Sequence, residues 1–284
     1  MRRRPYYFAL ILLLSACAAS APRGKPIPTE AAAALAEGFG RSSEFIALAF
    51  TNPVALATLP SLLAHPTLQD DICITEEGRG GDVDVDDIHE DLTLTFDCGS
   101  EESGSTLAGT LKVTDTNDDD ALSGYTLELS DYKRVFFGET PAANDTVEVN
   151  MKATLVPEAR TYRVTVAVQL AFEGETAQGE LSFEREYALN PDSAVSPFKA
   201  GKLAFEGPVT FKSEAEYELG AKAADLHFAS DCLNGFDGGS VSYTDPSGRE
   251  LRLTHTGCAE LRVTYDGVSL SAAPQASSVI GQSF

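Results

Sequence analysis

The spacing of hydrophobic residues changes once along this chain, from a helical period to strict alternation. Thr29 supplies a helix cap, Glu30 a first-turn acid, and Ala31 to Ala34 favour helix strongly. Leu35, Phe39, Ser42, Ile46 and Phe50 then fall near one face. Gly38 and Gly40 are expected to break this segment in two. Asn52-Pro53 is a fresh start signal and predicts a second helix over Val54 to Ala64, with Pro60 inside it. A helix lying on a membrane would want several bases on its polar face, and only Arg41 is available. Both helices are therefore expected to pack on a sheet.

From Cys73 onward the period is two. Leu92, Leu94 and Phe96 alternate with polar residues, as do Val147, Val149, Met151, Ala153 and Leu155. The longest run is Tyr162, Val164, Val166, Val168, Leu170 and Phe172. Leu181 with Phe183, then Val209, Phe211, Ala215, Tyr217 and Leu219, and finally Leu251, Leu253, Leu261, Val263 and Tyr265 continue the pattern. Alternation means one wet and one buried face, which suits antiparallel strands joined by short turns. Glu173-Gly174-Glu175 and Asp266-Gly267 read as hairpin turns. No helical stretch separates the strands, so parallel crossover units are excluded.

The fold expected is mainly β: a large twisted antiparallel meander of about a dozen strands. It is curled into a half-barrel or split into two packed sheets, with one or two N-terminal helices packed on it. The organisation expected is a leader over 1–16, a lipidated cysteine and flexible tether over 17–28, a helical segment over 29–66, the β domain over 67–272 and a tail over 273–284. The β domain reads as two related halves, 67–156 and 157–272. Leu92 to Cys98 is echoed by Leu251 to Cys258, and Gly109 to Thr114 by Ala259 to Thr264.

Arg2, Arg3 and Arg4 followed by the short apolar run Tyr6 to Leu14 make a secretory leader, too short to span a bilayer as a mature helix. Leu14-Ser15-Ala16-Cys17 resembles the lipobox of bacterial lipoproteins. That resemblance implies cleavage before Cys17 and acylation of its thiol and new amino terminus, so the membrane is the partner through a lipid anchor. In Gram-negative lipoproteins an aspartate after the cysteine often means retention at the inner membrane; Ala18 stands there, which implies the outer membrane, with the inner membrane or cell surface as alternatives. Without the leader's arginines, 18 basic residues face 43 acidic ones. A surface this acidic repels nucleic acid and anionic headgroups.

Four cysteines remain in what would be an oxidising compartment, and they allow three disulfide connectivities. Cys73–Cys98 and Cys232–Cys258 are expected, because each pair lies inside one local strand cluster. Cys73-Ile-Thr, the strand Leu92 to Cys98, the strand Leu107 to Val113 and the later Cys232, Gly239 to Tyr243 and Gly257 to Gly267 resemble a class of uncharacterised cysteine-paired, β-rich envelope lipoproteins. Asp97 departs from the glycine those proteins tend to carry. The resemblance implies no known activity.

Candidate chemistry is sparse. No helix-spaced metal-ligand histidines and no nucleophile elbow occur, and His255, in phase with Leu251 and Leu253, is expected to point inward. Ser130 and Lys133 match a penicillin-binding nucleophile motif, but in a strand they are expected on opposite faces. Ser196 and Lys199 flank a proline in a loop. Asp115, Asn117 and Asp119 begin like a calcium loop, which then fails at Asp120 and Thr126; a second acidic run covers Asp82, Asp84, Asp86, Asp87, Glu90 and Asp91. The reading is a non-enzymatic structural or interaction module needing no cofactor. Its alternative is a binder of lipid or another apolar ligand, with Phe172, Phe183, Phe211 and Tyr217 lining a groove of the curled sheet.

Overall fold

The computed structural model describes residues 26–49 and 73–270, less short stretches at 79, 81–82, 85–89, 121–122, 142–143, 159–160, 175–176, 194–198, 230–231, 233–234 and 259. Cys17, the segment Val54 to Ala64 and the tail lie outside the described residues. Among the described residues one helix, α1 (Thr29–Leu48), precedes a single antiparallel sheet. Its strands are β1 (Ile74–Glu77), β2 (Asp91–Ser100), β3 (Ser105–Asp115), β4 (Tyr125–Phe136), β5 (Asp145–Glu158), β6 (Thr161–Glu173) and β7 (Gln178–Pro191). There follow β8 (Ala200–Ala204), β9 (Glu206–Lys212), β10 (Glu216–Ala229), β11 (Phe236–Thr244), β12 (Glu250–Gly257), β13 (Glu260–Tyr265) and β14 (Val268–Ser269). Each strand pairs with the next in sequence, except that β8 and β9 share one lane between β7 and β10.

The meander is therefore one sheet, and its core-facing residues are those the alternation predicts, except Ala215, which is exposed in the turn between β9 and β10. Val147 to Leu155 on β5 and Val164 to Phe172 on β6 are buried at every second position. The turn Asp266-Gly267 joins β13 to β14 with both residues at positive φ, the geometry a two-residue hairpin needs.

Two of the sheet's register shifts carry a residue of positive φ. Asp131 in β4 and Asp225 in β10 adopt positive φ, and the ladders shift register beside each. A glycine faces each bulge. A Cβ on Gly109 would lie 2.7 Å from the Tyr132 Cα, and one on Gly239 would lie 2.1 Å from the Asp225 carbonyl oxygen. Both glycines have positive φ, so the backbones approach as no other residue would allow.

Helix α1 fills the concave side. It is unbroken through Gly38 and Gly40, contrary to the expected division. The reason is packing: a Cβ on Gly38 would sit 2.6 Å from the Phe172 ring, so the glycine lets the helix press onto β6. Nor does the helix bury a single narrow face. Ala32, Ala34, Leu35, Ala36, Phe39, Ser42, Ser43, Phe45 and Ile46 are all buried, covering more than half its circumference. Phe39 meets Tyr243 of β11 edge-on at 5.2 Å, while Phe45 meets Tyr132 of β4 at the same separation. The Tyr125 hydroxyl donates to the Ala49 carbonyl at 3.0 Å, where the helix ends. Arg41 is buried and paired with Glu37 at 2.6 Å and Asp145 at 2.8 Å.

The last residues of the expected tether are docked. Ile27 is buried, its N–H donates to Asp245 Oδ2 at 3.0 Å, and its carbonyl accepts from the Tyr265 hydroxyl at 2.8 Å. Burial alone would raise the Asp245 pKa, but donors from Ser247, Ile27, Arg249 and Tyr265 hold it below the usual value.

Both expected disulfides form, Cys73–Cys98 and Cys232–Cys258. Each ties the residue just before or near the start of one strand to the far end of the next: β1 to β2 at one end of the sheet, β11 to β12 towards the other. The two echoed segments thus sit in similar hairpins with a further strand, β3 or β13, beside each.

Candidate functional site

The pleat decides where each candidate side chain goes. Phe172, Phe183 and Phe211 point to the concave side and are buried, while Tyr217 is half-buried beside them. Phe172 packs on Gly38 of the helix, and the Phe211 ring lies over Gly179 and stacks on Tyr217 at 6.5 Å. Phe172, Phe183 and Phe211 thus belong to the hydrophobic core, and Tyr217 packs against it.

A polar group shares that interior. Arg185 of β7 is 4% exposed, and none of its three guanidinium nitrogens makes a well-aligned hydrogen bond. Its charge lies 4.1 Å from the Phe183 ring centre and 4.7 Å from that of Phe205. Cation–π attraction offsets part of the cost of burial. Burial pushes the Tyr187 hydroxyl up to about 12 and Tyr243 higher still, with Arg185 working against both shifts. Opposite Arg185 the β-ladder is interrupted: β7 pairs with β9 up to Ser182 and with β8 only from Ala188.

His255 points inward as expected, and its ring centre is 5.3 Å from that of Phe236. Burial pushes its pKa down to about 4, against a weaker upward pull from Asp237, so it is neutral at ordinary pH. His227, on the outer side of β10, is different. Its Nδ1 lies 2.6 Å from Asp237 and its Nε2 2.9 Å from Asp192. Burial favours the neutral ring, but the two carboxylates outweigh it and raise the pKa.

The expectation for Ser130 and Lys133 is overturned by the β4 bulge. The extra residue, Asp131, brings both onto the outer face, because Tyr132 and not Asp131 takes the inward position. Lys133 is engaged by Glu148 at 2.6 Å. Ser130 instead joins a row set by register: Thr110, Ser130, Asn150, Gln169, Ser182 and Thr210 follow one another across neighbouring strands. Five of these, from Ser130 to Thr210, line an open outer groove of about 570 Å³. Charged pairs such as Lys112–Asp91, Arg163–Glu186 and Lys212–Glu180 occupy other parts of this face. The sequence holds this row, but only cross-strand register brings it together.

The carboxylates that converge are not all those of the expected calcium loop. Asp115, Asp84 and Asp118 are the carboxylates that converge, each offering an oxygen within 4.8 Å of the others. Asn117 and Asp119 serve the turn: the Asn117 N–H donates to Asp115 Oδ1 at 3.2 Å, and its side-chain oxygen accepts from the Asp119 N–H at 3.4 Å. Asp115 continues the inward phase of Leu111 and Val113, which explains its burial. Of the second acidic run, Asp82, Asp86 and Asp87 lie outside the described residues.

Among the described residues no helix is long and apolar enough to cross a membrane. No protein-family model, curated protein or solved structure matches this chain.

Proposed function

We propose that this protein is a lipoprotein of the bacterial envelope, anchored through acylated Cys17 at the outer membrane. There it acts as a non-enzymatic module that meets its partners through the outer face of its sheet. The leader and the Leu14-Ser15-Ala16-Cys17 motif support the anchor. Two disulfides favour a compartment outside the reducing cytoplasm. The observation that carries the module over the ligand carrier is α1 on the concave side: the chain's own helix takes the space an apolar ligand would need. The groove crossed by the uncharged row from Ser130 to Thr210 is the surface this reading assigns to contact.

Labelling growing cells with palmitate tests the anchor. The parent incorporates label and sediments with outer membranes, whereas Cys17→Ser does neither. An unlabelled parent that still carries residues 1–16 sinks the anchor. Native mass spectrometry of the Cys17→Ser protein tests the module. A bare protein mass is expected, and a stoichiometric co-purifying lipid restores the carrier reading.

A further inference from the structure

Asp115 ends β3 in the inward phase and is only 8% exposed. Its Oδ1 accepts from the Asn117 N–H at 3.2 Å and the Ser123 hydroxyl at 3.1 Å. Its Oδ2 is buried and receives no donor, and no cationic side chain pairs with it among the described residues. A buried carboxylate oxygen without a partner is costly, and a second and third carboxylate beside it raise the cost. Asp84 and Asp118, both half-buried, are those neighbours. They come from two segments distant in sequence, which the Val83 N–H joins by donating to Asp118 Oδ1 at 3.1 Å.

We propose that Asp84, Asp115 and Asp118 form a calcium site that fastens the segment before β2 to the β3–β4 turn. The ligand set favours calcium, which takes carboxylate oxygens in flexible, irregular coordination. Oxygens on opposite sides of this ion are roughly 4.6–5.2 Å apart, because each lies about 2.3–2.6 Å from the metal. The three oxygens all lie within 4.8 Å of one another, inside the span that one calcium can bridge. Magnesium demands near-octahedral geometry and keeps several of its waters, which a three-carboxylate cluster spread over two segments suits less well. The site depends on neither the membrane anchor nor the absence of catalysis, so it stands or falls separately from them.

The test compares thermal melting of the purified full chain in EDTA and in rising calcium, with terbium as a luminescent probe. The chain has no tryptophan, and Tyr125 lies opposite Asp115 in the β3–β4 register, so excitation of tyrosine reports terbium bound there. Calcium is expected to raise the melting temperature saturably, at concentrations up to about 1 mM for a site of this kind. It should also quench the terbium signal by competition. Asp115→Asn abolishes both responses, yet melts no lower than the parent in EDTA because it relieves repulsion; Asp119→Asn keeps both. Should Asp115→Asn not fold, Asp84→Asn carries the same expectation. The proposal is overturned if sodium chloride at matched ionic strength gives the same melting shift, or if the folded Asp115→Asn or Asp84→Asn protein responds to calcium like the parent.

Discussion

Single side chains in this protein are governed by what lies within a few ångströms, and two of them make opposite predictions. His227 sits between Asp192 and Asp237 with a raised pKa, so its charged form stabilises the fold. That stabilisation is complete below the ordinary histidine value of about 6.5 and disappears as pH rises through the higher folded value. The melting temperature should fall across that window, and His227→Gln should flatten the profile. Arg185 is the reverse case, a guanidinium held away from water between two phenylalanine faces. Arg185→Met keeps the bulk and removes the desolvated charge, so urea unfolding should show a gain on the order of 1–4 kcal/mol. A loss in that measurement would mean that the charge has a partner and is not merely tolerated. Neither behaviour is legible in the sequence. Arg185 alternates in phase with Phe183 and Tyr187, which signals burial, but histidine and arginine reveal their neighbours only once distant strands are aligned.

At the scale of elements, the contact between α1 and β6 rests on the missing side chain of Gly38. Gly38→Val drives methyl groups into the Phe172 ring and should cost about 1–3 kcal/mol by denaturant unfolding. Phe172→Leu added to it should recover part of that loss, since residues in contact do not act additively. The strands were readable because a period of two needs only local chemistry: hydrophobic residues at every second position stay on one face whatever the rest of the chain does. The helix was readable as a helix, but not as an interior one. Its alanines and glycines look like weak spots in a one-dimensional pattern; around a curved sheet they are what allows close approach on several sides. The two bulges were equally hidden. Gly109 and Gly239 signal special backbone, yet the residue across from each is fixed only by pairing. That is why Ser130 and Lys133 appeared on different faces.

For the whole molecule, a sheet of this width with one apolar face must be bent and covered, and both conditions are met from within the chain. The covalent staples matter because so many contacts are long-range. Replacing Cys73 and Cys98 by serine should lower stability by roughly 3 kcal/mol, read as a shifted denaturation midpoint, as expected for opening a loop of 25 residues. The cysteine pairing was legible from local clustering, whereas the proposed calcium ligands were only partly so: Asp115 is in the sequence motif, but Asp84 reaches it through the fold. The docking of Ile27 has a mechanical result. Traction applied through the amino-terminal segment does not first unwind α1; it is delivered at Ile27 to Asp245 and Tyr265, and so into β11 to β13, which include the hairpin locked by Cys232 and Cys258. With the proposed anchor in place, a drag force on the body would therefore load a disulfide-closed hairpin late in the sequence.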